Sequence, residues 1–168
     1  MTSITKTIHI NATPEVVWPA LADFANIQVF NPSVTESYNT STAAQGPGAT
    51  RHCTLTFGAI EERIIDWKEG ESYTVEIYDS KGIPPIVKNM RATLAIKEAA
   101  NGGTNASFTF NYDMAFGPVG ALMNAAMVKN QYGKASAGIL AGLKHYIETG
   151  EEVTDFGVLK AANALVPA

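Results

Sequence analysis

A chain of 168 residues with 12 Lys+Arg, 16 Asp+Glu and a formal net charge of −4 is long enough for one domain and mildly acidic. Hydrophobic residues at 46% against 17% charged argue against disorder, and the acidic balance argues against a nucleic-acid surface. The single cysteine, Cys53, rules out an internal disulfide framework and a cysteine-based zinc site. No apolar run reaches the ~18 residues of a membrane span. The opening MTSITKTIHI has no signal-peptide apolar core, so a cytoplasmic chain is expected, and the sequons at Asn11, Asn39 and Asn105 carry no weight. Apolar richness in a modest domain is the feature to explain.

Residues 3–10, with Ile4, Ile8 and Ile10, read as a first β-branched strand. A short helix follows, with Thr13 as N-cap, Pro14 at its first position and Glu15 near the positive dipole end. Pro19 keeps it short, and a second short helical turn ends before Pro32. From Val34 the pattern is extended, with strands predicted at 34–39, 49–57, 60–67, 73–78, 87–97 and 106–116. Turn-rich separators keep the connections short, which implies an antiparallel meander. A long helix is predicted from about Pro118 to Glu148, stopped by Gly150. Leu122, Ala126, Gly133, Ser136, Leu140, Leu143 and Ile147 form its apolar stripe, and Lys129 falls within it. The tail, 151–168, is expected to hold one more short helix from near Asp155. The architecture is therefore α+β: a seven-stranded antiparallel sheet that buries one face on a single long helix.

Several short motifs in this order resemble the START-like (SRPBCC) superfamily, in its polyketide cyclase/dehydrase and lipid-transport group. They are Ala12-Thr13-Pro14-Glu15-Val16-Val17-Trp18, Phe30-Asn31-Pro32, Gly46-x-Gly48-x-x-Arg51, Glu62-Arg63-Ile64 and Gly142-Leu143-Lys144-x-Tyr146-x-Glu148. The match covers residues 3 to about 150, so the expected domain spans 1–150 and the tail lies outside it. The resemblance implies a helix-grip fold like that of birch-pollen-allergen-like proteins, with a ligand cavity between sheet and helix. It implies binding of lipids, sterols, hormones or polyketides, with cyclase or aromatase chemistry in some members. Fold alone assigns no activity.

Strand alternation sorts the candidate lining residues. Arg51, Cys53, Leu55 and Phe57 share one face, as do Glu62, Ile64 and Asp66. In the related abscisic acid receptors the glutamate of a Glu-Arg-Leu motif points into the pocket, which selects the Glu62 face as inward. Tyr73, Val75 and Ile77 are then expected inside, with Met90, Ala92, Leu94 and Ile96. The last strand adds Phe108, Phe110, Tyr112, Met114 and Phe116, more bulk than a helix presenting Gly133, Ser136 and Leu140 can cover tightly.

Glu62 is either a ligand contact or the partner of Arg51, since a carboxylate on an apolar face needs compensation. Arg51 either clamps a ligand carboxylate or ketone, or pairs with Glu62 or Asp66. Lys129 either reaches an anionic ligand or snorkels to solvent. Tyr73 and Tyr112 offer hydroxyls or simply fill the core. Cys53 reads as a small buried hydrophobe, and His52 should point to the convex face, away from it. No metal constellation emerges, and Gly46-Pro47-Gly48 is a turn rather than a phosphate loop. Asn31, Pro32, Gly82, Ile83, Pro84 and Pro85 fall where the family's entrance loops occur.

The expected function is binding of a small hydrophobic or amphipathic ligand, a lipid, isoprenoid or aromatic polyketide, with no cofactor. The alternative is a cyclase, aromatase or dehydratase that uses Glu62, Arg51 or Tyr112. Phe156, Val158, Leu159 and Leu165 in the tail could in addition support a homodimer.

Overall fold

The computed structural model describes residues 1–117 and 127–162. Seven strands form one antiparallel sheet: β1 (Thr2–Ile10), β2 (Val34–Asn39), β3 (Thr50–Leu55), β4 (Gly58–Lys68), β5 (Ser72–Lys81), β6 (Val87–Glu98) and β7 (Thr104–Met114). Their order is β1-β7-β6-β5-β4-β3-β2, so β2 to β7 form the expected meander and β1 closes against the last strand. Between β1 and β2 lie helix α1 (Pro14–Ala22) and a 3-10 turn (Phe24–Val29). Helix α2 (Lys129–Thr149) crosses the concave face, and α3 (Phe156–Ala161) follows. The expected helix residues 118–126, Leu122 and Ala126 among them, lie outside the described residues, as does Leu165. Among the described residues no helix is long and apolar enough to cross a membrane.

Contacts at two places seat α2. At its C-terminal end, Lys144 Nζ donates to the His9 carbonyl at 2.8 Å and pairs with Glu148 at 2.6 Å, while Glu148 accepts the Asn11 backbone N–H at 2.8 Å. In its middle, Gly142 lies so close to the Phe30 carbonyl that a methyl group would run into that oxygen. The helix ends on Gly150 at φ 77°, whose N–H caps the Tyr146 carbonyl at 2.9 Å, a left-handed stop that favours glycine. The tail folds back on the outer side of α2. Val153 and Leu159 are buried against Ala141, and Asp155 caps α3 through the Gly157 and Val158 amides. Leu159 is therefore occupied within its own chain.

Register shifts interrupt the alternation in several strands, and one of them changes an expected inward residue. A β-bulge between Ile64 and Asp66 pairs Ile64 with Val75 and Asp66 with Thr74. The extra residue reverses the facing of everything after it. Asp66 is thus exposed, not inward beside Glu62, and Trp67 joins the core, stacked on Tyr73 with centroids 5.8 Å apart.

Trp67 also holds α1 to the sheet. Its ring meets that of Trp18 edge-on at 5.2 Å, and the two indole N–H groups donate to the two oxygens of Glu69, at 2.8 and 2.7 Å. Glu69→Ala leaves both donors without their acceptor, the Trp18 N–H in a part-buried setting and the Trp67 N–H in an exposed one. A loss of about 1–3 kcal/mol is expected in urea unfolding, with Glu69→Gln recovering part of it.

Candidate functional site

Between the inner sheet face, α2 and the 3-10 turn lies a cavity of about 130 Å³. An apolar cavity of ~150 Å³ takes a benzene-sized guest, whereas pockets for larger ligands run to roughly 300–1,000 Å³. The space thus matches a single-ring molecule. Apolar side chains form most of the wall: Leu55, Phe57 and Ile60 from β3, its turn and β4, Val75 and Ile77 from β5, Ala92 and Leu94 from β6, Phe108 and Phe110 from β7. Helix α2 contributes Tyr132, Ala135, Ser136 and Ile139, and the segment before and into β2 adds Ile27, Asn31, Ser33 and Val34.

One end of this apolar space is polar. The β3–β4 register sets Arg51 directly across from Glu62, and both are buried, at 2% and 5% exposure. Arg51 Nε and Nη2 each donate to Glu62 Oε2 at 2.6 Å, and Nη1 donates to the Phe24 carbonyl at 2.7 Å. The guanidinium also lies 4.1 Å over the Phe24 ring. Cys53 Sγ lies 3.6 Å from both Glu62 Oε2 and Ser37 Oγ. Burial disfavours the Arg51 charge, but the nearby Glu62 carboxylate outweighs this and holds its pKa above the ordinary value. Burial pushes the Cys53 thiol up to about 12 despite the opposing pull of Arg51, so it is neutral and a poor nucleophile at neutral pH. The Tyr73 phenol is likewise raised to about 12 by burial. On the opposite, convex face His52 bonds Glu61 at 2.6 Å and stacks on Tyr38 at 5.1 Å, as the alternation predicts.

The geometry sorts the predicted site residues. Arg51, Cys53, Leu55, Phe57, Glu62, Tyr73, Val75, Phe108, Phe110, Ser136 and Asn31 line the cavity. Ile64, Met90, Tyr112 and Leu140 are buried in the core and do not line it. Tyr112 packs against Phe110 and Tyr132 at 5.5 and 5.3 Å. Lys129 is exposed, and Gly133 faces the Lys6 side chain, because the buried stripe of α2 runs through Ser136, Ile139, Leu140 and Leu143. Phe116 lies beyond the end of β7, at φ 66° and 74% exposed, so it is no part of the inner face.

Of the expected entrance residues, only Asn31 reaches the lining. Pro32 sits beside Gly142, and Ile83 packs on the core cluster. Gly82, Pro84 and Pro85 lie outside the lining. Sequence reading missed Ile27, Ser33, Val34, Ile60, Tyr132, Ala135 and Ile139. Ile60 stands two residues before Glu62 on one strand, a signal the alternation carried. The helix residues required the rotation of α2 about its axis, which only packing settles.

A sequence profile of the family described as "Polyketide cyclase / dehydrase and lipid transport" matches residues 1–148. The chain belongs to this family. No curated protein matches it significantly in sequence. Among solved structures, XoxI from Bacillus cereus is similar at 20% identity and a TM-score of 0.69, over 89% of this chain and 97% of that one. Ara h 8.0201 is similar at 15% identity and a TM-score of 0.70, over 88% and 98%. A protein from Thermus thermophilus is similar at 14% identity and a TM-score of 0.70, over 89% and 99%. At these identities the likeness establishes the helix-grip fold and nothing finer. Membership in this START-like family is consistent with a hydrophobic ligand.

Proposed function

We propose that this family member binds a small hydrophobic or amphipathic molecule in the cavity under α2. The observation that carries the reading is an apolar chamber of about 130 Å³ with one buried ion pair at its end. Apolar walls supply the driving force, and a few convergent polar groups orient the guest. A cyclase or dehydratase reading has less support. Arg51 and Glu62 are committed to each other, and Tyr112 stands outside the lining.

Gentle extraction of the purified protein followed by mass spectrometry is expected to recover a lipophile. Filling the chamber gives a stricter test. Ala135 lines the cavity from α2, and Ala135→Phe places a ring in the open space. The variant is expected to keep its circular dichroism spectrum and lose about tenfold or more in affinity for ethylbenzene, a single-ring probe followed by calorimetry. Equal affinity in both proteins places the binding elsewhere and defeats the proposal.

A further inference from the structure

We infer that the cavity selects uncharged guests bearing a hydroxyl group and rejects carboxylates of the same size. The inference rests on the binding reading above and assigns the chemical class of the ligand. Its basis is the charge count and the hydrogen-bond count at the polar end.

Arg51 is the charge that would attract an anionic guest, and it is already engaged. Nε and Nη2 are held by Glu62, Nη1 by the Phe24 carbonyl, and one face of the guanidinium by the Phe24 ring. The pair sums to zero in a site from which water is largely excluded. A guest carboxylate would leave two negative charges against one positive there, with its own hydration lost. The remaining polar lining, Asn31, Ser33, Cys53, Tyr73, Tyr132 and Ser136, is neutral and supplies no second positive charge. Ser136 Oγ donates to the Tyr132 carbonyl at 2.7 Å within its own helix, and the Asn31 side-chain oxygen is taken by the Ser33 amide at 3.0 Å. Lys129, the cation a sequence reading places near the guest, is exposed and absent from the lining.

A hydroxyl donor meets the opposite situation. Among the described residues every contact to Glu62 falls on Oε2: Arg51 Nε, Arg51 Nη2 and Cys53 Sγ. Oε1 of the same buried carboxylate is left as an acceptor at the end of an apolar chamber. A guest O–H donating to it makes a charge-assisted bond and adds no charge to the site. Glu62 is in this reading a specificity residue, held in place by Arg51.

The test compares 4-ethylphenol with 4-ethylbenzoate, matched single-ring probes that differ in charge at neutral pH, by isothermal titration calorimetry. The phenol is expected to bind about tenfold or more tightly. Lowering the pH through the benzoate's own titration should strengthen its binding toward that of the phenol, whose affinity stays level. Glu62→Gln leaves Arg51 uncompensated and should reverse the preference, whereas an unchanged preference would show that the charge balance of the pair does not set selectivity. Should that variant fail to fold, the pH comparison on the unaltered protein still decides. Benzoate binding as tightly as phenol at neutral pH overturns this inference and leaves the binding reading standing. Failure of both probes to bind overturns the two together.

Discussion

Arg51→Ala is expected to destabilise the fold by about 3–5 kcal/mol, the cost of leaving a buried charge without its partner. Glu62 would then keep its carboxylate at 5% exposure without the guanidinium that holds Oε2, and the Phe24 carbonyl would lose its donor. Replacing both charges at once, as Arg51→Met with Glu62→Leu, should cost far less, because no uncompensated charge remains. Urea unfolding at unchanged slope measures both, and the double-mutant cycle isolates the coupling. A double variant as unstable as Arg51→Ala alone would show that shape at this end, and not charge pairing, is what the fold requires. The double variant should still reject benzoate, because an apolar end desolvates a carboxylate without compensation. Its affinity for the phenol should fall with the loss of the Glu62 acceptor, which separates the stabilising role of the pair from its role in selection.

Gly142→Ala is expected to be nearly as damaging, at about 3 kcal/mol. The obstacle is the Phe30 carbonyl oxygen, part of the backbone just after the 3-10 turn, so it cannot rotate away as a side chain would. The helix must instead lift from the turn, which opens the cavity next to Ile27 and Asn31. Gly133→Ala is the internal control. Its added methyl meets only the Lys6 side chain at 3.9 Å, so better helix propensity should stabilise the protein by about 0.5–1 kcal/mol. Thermal unfolding of the two variants, side by side, distinguishes close seating of α2 from a general intolerance of the helix to substitution. If Gly142→Ala unfolds like the parent, α2 is not seated as closely as its contact with Phe30 requires.

Much of the architecture was legible because its signals are local. β-branched alternation and turn chemistry located seven strands, with β2 matching its predicted limits and the others differing by a few residues at their ends. Thr13 and Pro14 marked the start of α1, and Gly150 marked the end of α2, where backbone sterics act on single residues. The candidate site was legible wherever a strand stayed regular, as along Arg51, Cys53 and Leu55 or Tyr73 and Val75. It failed where a long-range match intervened. The bulge at Ile65 comes from fitting β4 against β5, and it exchanged Asp66 for Trp67 on the inner face. Phe116 was lost because β7 ends at Met114, where its pairing with Val87 runs out.

By itself, then, the sequence determined the class of the fold and the apolar character of the sheet's inner face, since residue period and turn residues depend only on near neighbours. It left Arg51 with two possible carboxylate partners and Lys129 with two possible destinations. Tertiary structure decided both. The β3–β4 register put Arg51 across from Glu62, and the seating of Gly142 on Phe30 accompanies a rotation of α2 that turns Lys129 outward. Those choices depend on contacts between residues far apart in the chain. For that reason the surplus of apolar residues was visible from the start, while the charge balance at the end of the cavity was not.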